Sequence, residues 1–161
     1  MTTHLLRDMT TLALLSAAAM YDCRTRRIPN ALTLAGLAAG LAFALLAGGD
    51  ARSSAIMGFL IGFGVPLLLY LSGGLGGGDV KLMAALGLLC GYPEIVYLLF
   101  YGTLVAAMLA LAGLAWEGRL LSGLRSSFLR RPPADGKEQP SARFALAQLV
   151  GFVGLQLLRY V

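Results

Sequence analysis

Gly73-Gly74-Leu75-Gly76-Gly77-Gly78-Asp79-Val80-Lys81 is the stretch on which the reading of this chain turns. Five glycines in nine residues break one apolar run from the next and deliver an aspartate to the mouth of the second. A carboxylate at the lip of an apolar segment is costly if that segment sits in lipid, and by default it marks function. One other acidic residue has a similar position. Asp22 stands where the first apolar run meets Cys23-Arg24-Thr25-Arg26-Arg27.

The composition makes lipid the expected solvent. Of 161 residues, 58% are hydrophobic and 13% charged, against about a quarter charged in soluble domains. The mean hydropathy is +0.76. The net charge of +5 does not read as a nucleic-acid footprint. Most basic residues lie in short segments between apolar runs, the pattern that orients helices in a bilayer. Cys23 and Cys90 form no CxxC pair and fall near opposite ends of apolar runs. Neither a disulfide nor a zinc site is expected, and no metal or cofactor is called for.

Six apolar runs follow one another: Met9–Tyr21, Ala31–Ala47, Ala55–Leu71, Val80–Cys90, Ile95–Trp116 and Phe144–Leu158. They predict an all-α polytopic membrane bundle of six transmembrane helices, one domain over 1–161. A cleaved signal peptide is the competing reading of the first run, but Asp8 spoils its positive flank and more runs follow. Asn30 is expected to cap the second run, after Pro29 holds the chain extended. Gly48–Arg52 reads as a turn, and Pro66 as a kink point in the third run. The pairs Gly36/Gly40, Gly58/Gly62 and Gly87/Gly91 have the small-xxx-small spacing that lets helices approach, although glycine is common in membrane helices anyway. The polar stretch 117–143 carries Leu120, Leu121, Leu124 and Phe128 at helical spacing among arginines. It reads as an interfacial helix before the last span or as a solvated loop.

Alternating loops fix an orientation. Ten of the 13 Lys and Arg residues fall on one side and three on the other. The first side is then cytoplasmic, both termini lie outside, and Asp22 and Asp79 share the cytoplasmic face. The runs that bear them are the shortest, 13 and 11 residues, against the roughly 20 needed to cross a bilayer. Short helices there would thin the membrane and admit water.

Asp79 could simply cap the fourth helix, and Asp22 could pair with a neighbouring arginine. Together at one depth they can do more. Two adjacent carboxylates share one proton near neutrality. One then serves as base toward water while the other donates to a carbonyl oxygen. That suffices for peptide hydrolysis. Rival chemistries are poorly supplied. His4 is the one histidine and lies far along the chain, no HExxH or GxSxG occurs, and the glycine stretch lacks the Gly-Lys-Ser/Thr of a phosphate loop. Gly76 and Gly78, lacking Cβ, would let an extended substrate backbone lie close.

Asp22-Cys23-Arg24-Thr25-Arg26-Arg27-Ile28-Pro29-Asn30 resembles the first-aspartate motif of the type IV prepilin peptidases. Gly76-Gly77-Gly78-Asp79-Val80-Lys81 is similar to their second motif, GxGD followed by Val-Lys. The resemblance implies an intramembrane aspartic endopeptidase with Asp22 and Asp79 as its catalytic pair. Gly76, Gly78, Pro29, Asn30 and Lys81 would shape the site or hold substrate. It also implies type IV prepilin-like substrates, with a basic leader and an adjoining apolar helix, cut at the cytoplasmic face of the plasma membrane. Long members carry a four-cysteine region and methylate the new N-terminus. This chain resembles the short, peptidase-only form found with tight-adherence pili. The Ile-Pro-aromatic-x-Pro pattern that leads into the last span of many members is matched only weakly by Gln139-Pro140-Ser141-Ala142. Presenilin-like and signal-peptide-peptidase-like proteases share Tyr-Asp and GxGD, and stay open as an alternative. So does a small transporter or structural subunit using the acids for proton or cation coupling, which would need more polar mid-span residues than occur here.

Overall fold

The structure, a computed structural model, describes residues 2–25, 28–116 and 144–160. Among these residues it is all-helical, with α1 Thr2–Thr25, α2 Asn30–Leu46, α3 Gly49–Leu71, α4 Gly77–Cys90, α5 Glu94–Trp116 and α6 Phe144–Tyr160. The polar stretch 117–143, with its expected interfacial helix and the lead-in to the last run, lies outside the described residues.

Helix α4 is the axis of the bundle. It is only 14 residues long and apolar on all sides beyond Lys81, which is the signature of a helix buried among others. Leu82, Met83, Ala85, Leu86 and Leu89 are wholly buried. Helices α1, α2 and α3 surround it, while α6 packs on α1 and α5. The outer helices turn large apolar side chains outward instead, among them Leu34, Leu45, Leu60, Leu68, Phe100 and Met108.

The close packing is made by glycine. All six glycines of the three spaced pairs lie where another helix comes close. A Cβ on Gly58 would overlap the Gly87 carbonyl oxygen and lie 2.7 Å from Gly91 Cα; one on Gly62 would lie 3.1 Å from Gly87 Cα. Gly58 and Gly62 on α3 thus face Gly87 on α4 and Gly91 just past its end, backbone to backbone. On α2, a Cβ at Gly36 would meet Leu14 and Ala85, and one at Gly40 would meet Leu88 Cβ at 2.6 Å.

Several boundaries differ from those expected. Helix α1 is 24 residues long, not short, because helical hydrogen bonding does not stop where hydrophobicity does. Its polar ends contain no glycine or proline to break it. The Gly48–Arg52 turn shrinks to Ala47-Gly48, and Arg52 lies inside α3. From there its guanidinium donates to the carbonyls of Leu45 and Ala47, closing the C-terminal end of α2. Pro66 is buried within an unbroken α3. Asn30 is not the cap of α2. Pro29 occupies that position with no side-chain bond, and Asn30 is the first helical residue, its side chain engaged elsewhere. Of the six expected crossings, α3 alone among the described residues is long and apolar enough by length and composition. Asn30–Leu46, Glu94–Leu109 and Phe144–Leu157 are shorter apolar helices.

Candidate active site

The two aspartates are carried by different helices running in opposite directions. A common reference layer relates their heights. At Gly36 the missing Cβ would touch Leu14 on α1 and, at 3.2 Å, Ala85 on α4. Asp22 lies eight residues beyond Leu14 and Asp79 six residues before Ala85. At about 1.5 Å per residue, both stand on the same side of this layer, about 12 and 9 Å from it. Both side chains are buried, Asp22 at 2% exposure and Asp79 at 4%.

The two motif segments meet. Lys81 Nζ on α4 donates to Asn30 Oδ1 at the start of α2, at 2.9 Å. A Cβ on Gly78 would lie 3.5 Å from Ile28 Cβ, so the glycine stretch packs against the segment just before Pro29. The two sequence motifs therefore form one surface at one end of the bundle. The helix of the second motif begins earlier than its hydrophobicity suggested. Gly76 is the N-cap of α4, and Asp79 lies in its first turn, its N–H donating to the Gly76 carbonyl at 3.1 Å. Asp79 is thus not itself the cap. Its carboxylate folds back over the turn, where a Cβ at Gly76 would come within 3.1 Å of Oδ2. The absence of a side chain at Gly76 gives that carboxylate its place. Pro29 accepts from Leu32 N and Thr33 N through its carbonyl, which fixes the entry into α2.

One participant was not legible in the motifs. The N–H of Ala145, in the first turn of α6, donates to Asp22 Oδ2 at 3.3 Å in a buried setting. Sequence reasoning had only the position of the last apolar run. The donor is main chain, so no residue type announces it.

The opposite end of the bundle holds a separate polar group, where Arg7, Asp8, Cys90, Glu94 and Gln156 line a small cavity. None of the expected site residues belongs to it. Among the described residues, no three of His, Cys, Asp and Glu come together as a group that could hold a metal ion.

A family model for the type IV leader peptidase family matches residues 9–111, which include both motifs. The chain belongs to the type IV leader peptidase family. As a member it is a peptidase of the prepilin type, and the presenilin-like and transporter readings fall away. The match ends inside α5, so α6 and its contact with Asp22 lie beyond it. No curated protein and no solved structure matches the chain.

Proposed function

We propose that this leader peptidase is an intramembrane aspartic endopeptidase in which Asp22 and Asp79 hydrolyse the bond between a basic leader and an apolar helix of a prepilin-like precursor. The observation that supports the proposal is that two buried carboxylates stand toward the same end of the bundle, within about 3 Å of each other in height, in motifs joined by the Lys81–Asn30 bond.

The chemistry follows from the pair. Two carboxylates in one buried site do not both carry charge cheaply, so they share a proton. The ionised member removes a proton from water as the oxygen attacks the scissile carbonyl carbon, and the protonated member donates to the carbonyl oxygen. Collapse of the tetrahedral gem-diol passes the proton taken from water to the amide nitrogen as the C–N bond breaks, and the other carboxylate takes back the hydroxyl proton as the carbonyl re-forms. The peptide must be extended to be attacked. The extended edge expected of Gly76 and Gly78 is not formed, since Gly78 lies in the first turn of α4 and the Gly76 carbonyl accepts from Asp79 N and Val80 N; the glycines instead leave room beside Asp79 for a substrate to approach. Pro29, Asn30 and Lys81 hold the facing segment in register and put one cation at the rim.

The outward leucines and phenylalanines suit lipid, because a soluble protein rarely exposes contiguous apolar area on this scale. The Lys and Arg distribution puts the aspartates at the cytoplasmic face of the plasma membrane, in a multi-pass chain forming a single peptidase domain with both termini outside. A precursor with a basic leader would find its leader held on that face by the same rule.

The test is cleavage of a synthetic prepilin-like peptide, a basic leader joined to an apolar helix, by the purified protein in detergent. Asp22→Asn and Asp79→Asn are each expected to abolish cleavage while expression and assembly persist, since the amide is nearly isosteric and cannot share the proton. Substantial cleavage by either variant refutes the dyad.

A further inference from the structure

Asp22 lies three residues before the end of α1 at Thr25. The carbonyl end of a helix carries partial negative charge, an unfavourable place for a carboxylate. One compensating contact comes from another helix. Ala145 is the second residue of α6 as described, Phe144–Tyr160, and the first N–H groups of a helix have no acceptor within it. The Ala145 N–H can bond outward at no cost to α6, and it does so to Asp22 Oδ2. The positive end of the α6 dipole faces the same group.

The height of α6 is set at its seam with α5. A Cβ on Gly151 would lie 2.9 Å from Gly102 N, so the two helices touch through glycine. Gln148, one turn after Ala145, lies across Gly102 in the space a Cβ would take. Its side chain is wholly buried, and among the described residues neither Nε2 nor Oε1 has a hydrogen-bond partner. A buried amide without partners is a cost to stability. Such local costs concentrate where geometry serves function.

We propose that Ala145 is a positioning residue: its main-chain N–H, held at the level of Asp22 by the Gly102–Gln148–Gly151 seam, fixes the orientation of the Asp22 carboxylate for hydrolysis. This rests on the reading of Asp22 as catalytic. It assigns the start of α6 a share in the reaction that no side chain records.

Proline isolates the donor. It is tolerated in the first turn of a helix, so Ala145→Pro deletes this N–H and keeps α6. The ring Cδ takes the place of the hydrogen and turns the carboxylate aside. Ala145→Gly keeps the N–H and serves as the conservative rescue. With the synthetic prepilin-like peptide, Ala145→Pro is expected to lower kcat about tenfold to a hundredfold, the span of one charge-assisted hydrogen bond. KM should stay within about twofold, because positioning acts in the transition state. Ala145→Gly should recover most of the loss. Parental kcat in Ala145→Pro, or equal losses in the proline and glycine variants, overturns the proposal.

If Ala145→Pro fails to assemble, the seam provides the second measurement. Gly102→Ala presses on Gln148 and should reduce kcat with KM retained, whereas Gly154→Ala, on α6 but with nothing within 4 Å, should not. Equal kcat in these two variants overturns the proposal as well. Asp22→Asn, assayed in parallel, separates the two readings. If it still cleaves, the catalytic assignment has failed. If it is silent while the Ala145 and Gly102 variants keep parental kcat, only the positioning role has failed.

Discussion

Replacing Gly58 by alanine should destabilise the protein, although alanine is the better helix former. The added methyl would overlap the carbonyl oxygen of Gly87 and come 2.7 Å from Gly91 Cα and 2.8 Å from Gly91 C. All three neighbours are main chain, so no flexible side chain can yield. Helix α3 must withdraw from α4 by a large fraction of an ångström to restore ordinary contact, loosening the Gly62–Gly87 approach one turn along. Overpacking of this kind costs about 1–3 kcal/mol. The gain in helix propensity from glycine to alanine returns about 1 kcal/mol at most. A net loss of about 1–2 kcal/mol corresponds to roughly 2–8 °C in melting temperature for a chain of this size. Gly64 is the matched control, since it lies in the same helix with nothing within 4 Å. There the substitution should leave the midpoint unchanged or raise it slightly. The assay is thermal unfolding in one detergent by circular dichroism, with cleavage measured below the transition. Because α4 carries Asp79, Gly58→Ala should also lose activity at temperatures where Gly64→Ala does not. Equal midpoints for the two variants would refute the backbone-contact argument.

Gly76→Ala should reduce kcat more than Gly78→Ala, because a methyl at Gly76 crowds Asp79 Oδ2 at 3.1 Å whereas one at Gly78 makes an ordinary contact with Ile28; the reverse order of kcat values would remove Gly76 from the site. Asn30→Asp should preserve the bond to Lys81 as an ion pair, and Asn30→Leu should cost no more than about 1 kcal/mol because the pair is exposed; thermal midpoints compare the two. In the unmodified protein a membrane-impermeant maleimide should label Cys23 and spare Cys90, which are exposed and buried. Labelling in oriented vesicles should occur from the cytoplasmic side, and mass spectrometry reads both outcomes. Thr25→Cys and Gly77→Cys, in a background without the native cysteines, should likewise react from that side; inert thiols at both positions would argue that the aspartate end is sealed from water.

How far the site was legible depends on the range of the interactions involved. The Asp22 and Gly76–Asp79 motifs could be read because each is local. A basic segment, an Ile-Pro-Asn turn and a glycine run around an aspartate declare themselves within a few residues. That they meet was inferred from matching ends of apolar runs, and the Lys81–Asn30 bond and the Ile28–Gly78 contact join them directly. Helix limits were less legible. Hydropathy marks where side chains turn apolar, but a helix ends where its main-chain bonds end. Helix α1 therefore overruns its apolar core at both ends, and α4 takes in Gly77 and Gly78. Asn30 looked like a cap from its residue type, yet Lys81, 51 positions away, claims its oxygen.

Sequence alone determined the all-helical class and singled out two aspartates at matching ends of apolar runs, because apolar runs, charge distribution and short motifs are properties of neighbouring residues. Tertiary structure decided which glycines are contacts and what holds Asp22. Glycine is ambiguous by itself, since the same residue loosens one helix and seats another, and only the facing backbone at Gly58, Gly87 and Gly91 distinguishes the cases. The N–H of Ala145 is identical in every residue but proline. Its contact with Asp22 exists because α6 rests on α5 at Gly102, and no pattern along the chain encodes that height.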